Sequence, residues 1–217
     1  MSELNPARVR RVYERLLGAY GPQAWWPGES RFEIMVGAVL TQNTAWVNVE
    51  RAIGNLRQAG VLSLGGILAL PRPRLAALIR PAGYYNVKAA RLGNLCRFID
   101  QQGGEAALEA MPTERLRPAL LAVNGVGPET ADDILLYAFE RPVFVIDSYT
   151  RRIFSRLGMI AGDEPYEVLR LGFQAALGPE TALYNEYHGL IVSHAKRACA
   201  KRPACGDCCL GGDCGYG

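Results

Sequence analysis

The sequence predicts an all-α protein of about ten to eleven helices with short links. Apolar residues recur at helical spacing along almost the whole chain. Capping residues and Gly- or Pro-rich breaks interrupt that pattern at short intervals. The best strand candidate, residues 143–146, is only four residues long.

The first helix is expected over residues 5–19, capped by Asn5 with Pro6 at its first position. The loop that follows, Gly21-Pro22-Gln23-Ala24-Trp25-Trp26-Pro27-Gly28, sets two tryptophans side by side. Such rings can serve packing, or they can wall a pocket for a flat ligand. Residues 31–42 read as a helix with Phe32, Met35, Val36, Val39 and Leu40 on one broad stripe. It ends in Thr41-Gln42-Asn43-Thr44, whose amides and hydroxyls suit a helix junction. Helices follow over residues 45–58, 64–70 and 73–79. The loop Pro81-Ala82-Gly83-Tyr84-Tyr85-Asn86 leads into a helix over about residues 87–101, which Gln102-Gly103-Gly104 breaks. Thr113 is read as the cap of a helix reaching residue 123, with Glu114 in its first turn. The turn Asn124-Gly125-Val126-Gly127-Pro128 comes next and opens a further helix. The apolar connector 143–146 precedes Asp147, which starts a helix to residue 157. Helices over residues 165–176 and 179–198 then deliver the chain to a cysteine-rich end.

With 217 residues the chain suffices for one large domain or two small ones. A hydrophobic share of 49% and a charged share of 21% exclude a disordered chain. The net charge of +3 and pI near 8.6 are compatible with nucleic acid but too mild to argue for it. Lys88, Lys196 and Lys201 are the only lysines, so few amines are available for Schiff-base chemistry. The first twenty residues carry charge among Val9, Val12, Leu16 and Leu17, unlike a signal peptide. No apolar run approaches the ~20 residues of a membrane span. An intracellular protein is expected.

Two stretches could carry chemistry. Cys199, Cys205, Cys208 and Cys214 follow the pattern C-x5-C-x2-C-x5-C, with Cys209 adjacent and Cys96 far away. In a reducing compartment such clustering points to metal rather than disulfides. Spacing alone leaves a tetrahedral zinc and a [4Fe–4S] cluster equally open. The second stretch is residues 121–154. Its Gly125-Val126-Gly127 turn at a helix start presents backbone N–H groups suited to phosphate, which positions a protein on DNA without reading sequence. Such a turn can also hold a monovalent cation. Asp147 lies twenty residues after Gly127 and can serve as helix cap, as catalytic acid, or as both.

Residues 121–154 resemble the helix–hairpin–helix and following acidic residue of the endonuclease III (HhH-GPD) superfamily of DNA glycosylases. Leu40-Thr41-Gln42-Asn43-Thr44 matches its polar helix junction, and Gly83-Tyr84-Tyr85-Asn86-Val87-Lys88-Ala89 matches the loop that enters the opened duplex. The cysteine pattern is similar to the family's iron–sulfur loop, although the first gap is five residues where six is usual. The resemblance covers nearly the whole chain. It implies a six-helix barrel domain over residues 31–141, carrying the hairpin at about 113–139. A second helical domain would comprise residues 1–30 plus 142–217 and carry a [4Fe–4S] loop at 199–214. It also implies a cytoplasmic, nucleoid-associated monomer whose partner is double-stranded DNA with a damaged base, with no membrane involved.

Bifunctional members of that superfamily place a lysine two residues after the second hairpin glycine; here that position is Glu129, which cannot form an imine. Ala24-Trp25-Trp26-Pro27, Gly37-Ala38-Val39-Leu40, Ile79-Arg80-Pro81, Ala131-Asp132 and His188-Gly189 followed by Lys196 are similar to the 3-methyladenine DNA glycosylase III branch. The chain departs from that branch's best-known member in having the cysteines, and in Leu190 where a lysine stands there. The resemblance implies a monofunctional glycosylase for alkylated purines. Asp147 would be the catalytic residue, and Trp25, Trp26, Pro27, Trp46 and Lys196 would form the base pocket. Gln42 would fill the vacated space and Tyr84 wedge beside it. Asn124, Gly125, Val126, Gly127, Arg151 and Arg152, with Lys201 and Arg202, would contact DNA. Cys199, Cys205, Cys208 and Cys214 would be the metal ligands. Two alternatives stand beside this: an endonuclease III-like glycosylase and abasic-site lyase for oxidised pyrimidines, and a non-catalytic protein that binds damaged DNA.

Overall fold

The computed structural model describes residues 4–25 and 28–216. Among them lie α1 (Pro6–Tyr20), α2 (Arg31–Leu40), α3 (Trp46–Gln58), α4 (Leu64–Ala69), α5 (Arg72–Leu78) and α6 (Tyr85–Gln101). They are followed by α7 (Glu105–Ala110), α8 (Thr113–Leu121), α9 (Pro128–Asp133), α10 (Ser148–Arg156), α11 (Tyr166–Leu177) and α12 (Thr181–Arg197). The described residues contain no β-strand. The chain divides into two compact units, one of Pro27–Arg141 and one joining Met1–Trp26 to Pro142–Gly217.

The Pro27–Arg141 unit is built around α2. Every residue of that helix from Phe32 to Leu40 is buried, as befits a helix that is apolar nearly all round. Ser30 starts it by accepting a bond from the Glu33 amide at 3.2 Å. Helices α3, α6 and α9 pack against it. Arg117 Nε reaches the fully buried Asp132 at 2.6 Å and so ties α8 to α9. After α9 the helix widens into a π turn over Ile134–Ala138, where the Phe139 amide donates to Ile134 O at 3.3 Å. Such a turn re-aims the chain without ending the helix.

The second unit joins both ends of the chain. α1 packs on α11 and α12, and Tyr187 of α12 donates its hydroxyl to Val9 O at 2.8 Å. An aromatic cluster fills the core, with Phe144 stacked on Phe173 at 4.7 Å and Phe154 edge-on to Phe173 at 4.7 Å. Phe144 also meets the edges of Tyr184 and Tyr187.

Three local expectations change. Residues 143–146 are buried but have no strand assignment; their apolar run fills the core, with Phe144 in the aromatic cluster. α7 was not anticipated: it buries only Leu108, so it has no periodic stripe to read. Thr113 does not cap α8; it is the first helical residue, behind Pro112 in extended conformation.

Candidate functional site

In the Pro27–Arg141 unit, the hairpin turn is fixed by backbone geometry. Gly125 has φ +98°, and a Cβ there would come within 2.2 Å of Arg91 Cγ, so only glycine fits. The Val126 amide closes the turn onto Val123 O at 3.0 Å. Pro128 then begins α9 with its preset φ. Asn94 of α6 donates to Asn124 O at 2.9 Å, and an open concavity of about 390 Å³ lies beside it, lined by Arg97, Phe98, Gln101 and Val123 among others. Asn124, Gly127 and Glu129 are exposed.

Gln42 is held to this turn. Its Nε2 donates to Gly125 O at 3.1 Å and to Thr130 Oγ1 at 2.9 Å, while Arg91 donates to its Oε1. Tyr84 is 74% exposed and has φ +45°. Asn43, also in this unit, has positive φ, as does Ala24 before Trp25 in the other. Strained backbone of this kind concentrates at functional sites. Trp46 packs over Gly37, with its ring 3.5 Å from where a Cβ would sit, and donates to Glu50 at 3.1 Å.

Asp147 belongs to the other unit. It caps α10: its Oδ1 accepts from the Thr150 amide at 2.7 Å and from Thr150 Oγ1 at 2.8 Å. Its Oδ2 lies 3.6 Å from His188 Nε2 on α12, an ion-pair distance longer than a hydrogen bond. Only 8% of Asp147 is exposed. Burial pulls its carboxyl upward, but His188 and the two bonds from Thr150 outweigh it and hold it below the ordinary carboxylate range. The group is therefore an ionised carboxylate in a largely dry site. Nothing local to Asp147 signals His188; only the packing of α12 on α10 brings them together.

Also in this unit, Lys196 lies over the Trp25 ring at 5.9 Å. Gly189 permits that ring's place, since a Cβ there would meet Trp25 Cβ at 2.8 Å. Trp26 and Pro27 fall outside the described residues. Arg151 donates to Gly162 O and Glu164 O. Arg152 donates to Cys199 O and Ala195 O, and stacks over Tyr149. Lys201 and Arg202 are exposed.

The expected [4Fe–4S] loop is overturned. Among the described residues, no group of three or more His, Cys, Asp or Glu side chains could hold a metal ion. Cys199, Cys205, Cys208 and Cys214 border one cavity of about 20 Å³, room for roughly one water and too small for a four-iron cluster. Arg156 staples the loop instead, donating to Cys199 Sγ at 3.1 Å, Ala200 O at 2.8 Å and Lys201 O at 3.1 Å, while Cys214 Sγ approaches Arg156 O at 3.4 Å. His194 of α12 sits 3.9 Å from Cys208 Sγ, and burial lowers its pKa to about 4. The described residues therefore give no support to the resemblance's iron–sulfur loop; they form helices in two units, with no cluster site among them.

Comparisons with known proteins bear on the family. The chain is 47% identical over 211 residues to a protein of Methanocaldococcus jannaschii named as a DNA repair glycosylase, covering 96% of each. It is 27% identical over 187 residues to the endonuclease III of Sulfolobus acidocaldarius, covering 85% of this chain and 82% of that one. Its structure is similar to that of the H. pylori 3-methyladenine DNA glycosylase bound to 1,N6-ethenoadenine, with a TM-score of 0.75 and 30% identity over 89% of this chain and 98% of that one. The profile of the HhH-GPD superfamily base excision DNA repair proteins matches residues 36–177. With the Gly125–Gly127 hairpin and the buried Asp147 carboxylate inside that span, the chain belongs to the HhH-GPD superfamily of base excision DNA repair proteins.

Proposed function

We propose that the protein is a DNA glycosylase that cuts a damaged base from its deoxyribose, with Asp147 as the carboxylate acting at C1′. The observation that carries this is a buried carboxylate, held ionised by Thr150 and His188, in a base-excision repair family. Such a group stabilises the positive charge that develops on the sugar, or orients the water that attacks it. The base must leave the stack first, at a cost of a few kcal/mol that damage reduces. Tyr84, exposed on its strained turn, is the wedge. Gln42 fills the space, and the Asn124–Gly127 amides take a phosphate, with or without a monovalent cation. Trp25, with Lys196 over its ring at 5.9 Å, is the proposed stacking partner of the base. A cationic alkylated purine gains roughly 1–3 kcal/mol per indole it stacks on. The likeness to the H. pylori protein, whose bound ligand is an etheno-modified adenine, supports that substrate class.

Two finer readings divide on strand cleavage. Glu129 supports a monofunctional enzyme, since a carboxylate forms no imine. The likeness to proteins named endonuclease III supports the second reading, a glycosylase that also cleaves the strand. That chemistry needs another amine. Lys88 already serves three acceptors; of the other two lysines, Lys201 is exposed on the cysteine-rich loop and Lys196, beside Trp25, is the candidate.

The test is product analysis on duplexes carrying alkylated purines or oxidised pyrimidines, with wild type, Asp147→Asn and Lys196→Ala. Released base with an intact abasic strand supports the first reading. A borohydride-trapped adduct that disappears in Lys196→Ala supports the second. Loss of about 10²–10⁴-fold in single-turnover release with Asp147→Asn is expected. An unchanged rate refutes the role of Asp147, and binding without product on every duplex leaves only a damaged-DNA binder.

A further inference from the structure

The lysine of the Pro27–Arg141 unit is buried, and its ammonium donates to three neutral oxygens. Lys88, on the first turns of α6, is 1% exposed. Its Nζ donates to Leu40 O at 2.7 Å, to Thr44 Oγ1 at 2.6 Å and to Ala82 O at 2.8 Å. An ammonium has three donors, and here each has an acceptor. Burial, and secondarily Arg91, lowers its pKa to about 8. An amine that costly to bury is retained for what it holds.

What it holds are the two segments assigned to the opened duplex. Leu40 and Thr44 flank Gln42 at the end of α2. Ala82 precedes Gly83 and Tyr84, which both have positive φ, +66° and +45°. Thr44 Oγ1 closes the ring of contacts by donating to Ala82 O at 2.7 Å. Tyr84 in the second segment is an exposed large apolar side chain, and two more, Val47 and Val87, follow in the first turns of α3 and α6. The strained loop would otherwise be free to relax, because Tyr84 pays for its left-handed backbone with no side-chain bond at the helix cap.

We propose that Lys88 is a positioning residue that clamps the Gln42 junction and the Tyr84 loop into one rigid wedge, so that both enter the duplex together. The inference rests on the reading of Gln42 and Tyr84 given above. A rigid wedge spares the ordering cost of two mobile loops at the moment the base stack opens.

The experiment uses a duplex with a tetrahydrofuran abasic analogue flanked by 2-aminopurine, whose fluorescence rises when the neighbouring stack is parted. Lys88→Met removes all three donors and Thr44→Val removes one acceptor; the second keeps the test decisive where the first does not fold. Duplex affinity is set mainly by phosphate contacts and is expected to stay within about twofold of wild type in both. The fluorescence rise is expected to fall about tenfold in Lys88→Met, a shift of about 1.4 kcal/mol in the opening equilibrium, and less in Thr44→Val. A full rise in either folded variant overturns the clamp. So does a joint loss of affinity and fluorescence in a folded Thr44→Val. Tyr84→Ala separates the two levels. If it retains the rise, the wedge reading itself fails; if it loses the rise while Lys88→Met and Thr44→Val keep it, only the clamp fails.

Discussion

Asp147 shows how one side chain combines structure with chemistry. As a cap it satisfies Thr150 in the first turn of α10, and that bond fixes where its second oxygen points. The second oxygen faces His188 at 3.6 Å. Because the folded-state pKa is depressed, the group contributes stability above its ordinary value of about 3.9, and that contribution is lost as pH falls through the folded value. His188→Ala removes an influence that opposes burial, so the carboxyl rises. The acid limb of the kcat/KM profile should then move to higher pH and the melting temperature at neutral pH should fall, because less of the depression remains to stabilise the fold; an acid limb that stays in place refutes the pairing. Asp147 was legible in the sequence because a cap ahead of Ser148-Tyr149-Thr150 is a local pattern. His188 was not, because its partner lies on another helix.

At the scale of elements, the hairpin is defined by what cannot be placed in it. Gly125→Ala puts a methyl 2.2 Å from the middle of the Arg91 stem, at a φ that L-residues avoid. A loss of about 1–3 kcal/mol in chemical denaturation is expected, with weaker duplex binding as the Gln42 and Arg91 network opens. An unaltered denaturation midpoint contradicts this. The Arg117 bridge between α8 and α9 makes a second case. Asp132 is fully buried against it, and Arg117→Met leaves that charge without its cation. A cost of about 3–5 kcal/mol is expected by the same measurement, and less than 1 kcal/mol would show that other contacts hold Asp132. The glycine spacing was visible in the chain. The π turn after α9 was not, since it is set where Phe139 donates to Ile134 O, five residues back, and Arg141 to Leu135 O, six residues back, at the end of the helix.

For the whole molecule, the unit at Pro27–Arg141 is continuous in sequence while the other is assembled from both chain ends. α1 packs on α11 and α12, which the whole intervening unit separates from it in sequence. Contacts so distant in sequence are slow to form. The C-terminal loop depends on the same assembly, since Arg156 of α10 holds it by its carbonyls and the Cys199 sulfur. Arg156→Ala should expose that loop to limited proteolysis while the Pro27–Arg141 unit stays resistant. A wild-type digestion pattern refutes the staple.

The sequence by itself determined most of the helices, though not α7, together with the glycine turn, the carboxylate that follows it and the family to which they belong, because each is a local pattern of spacing and residue type. It misjudged the cysteines, because spacing says that thiols are close in the chain and not whether a cavity of metal size opens among them. Packing left about 20 Å³ there and gave the staple to Arg156. Tertiary structure alone decided that His188 faces Asp147 and that Lys88 gathers Leu40, Thr44 and Ala82. Those partners come from separate elements, and a buried charge selects them only once the core around it has closed.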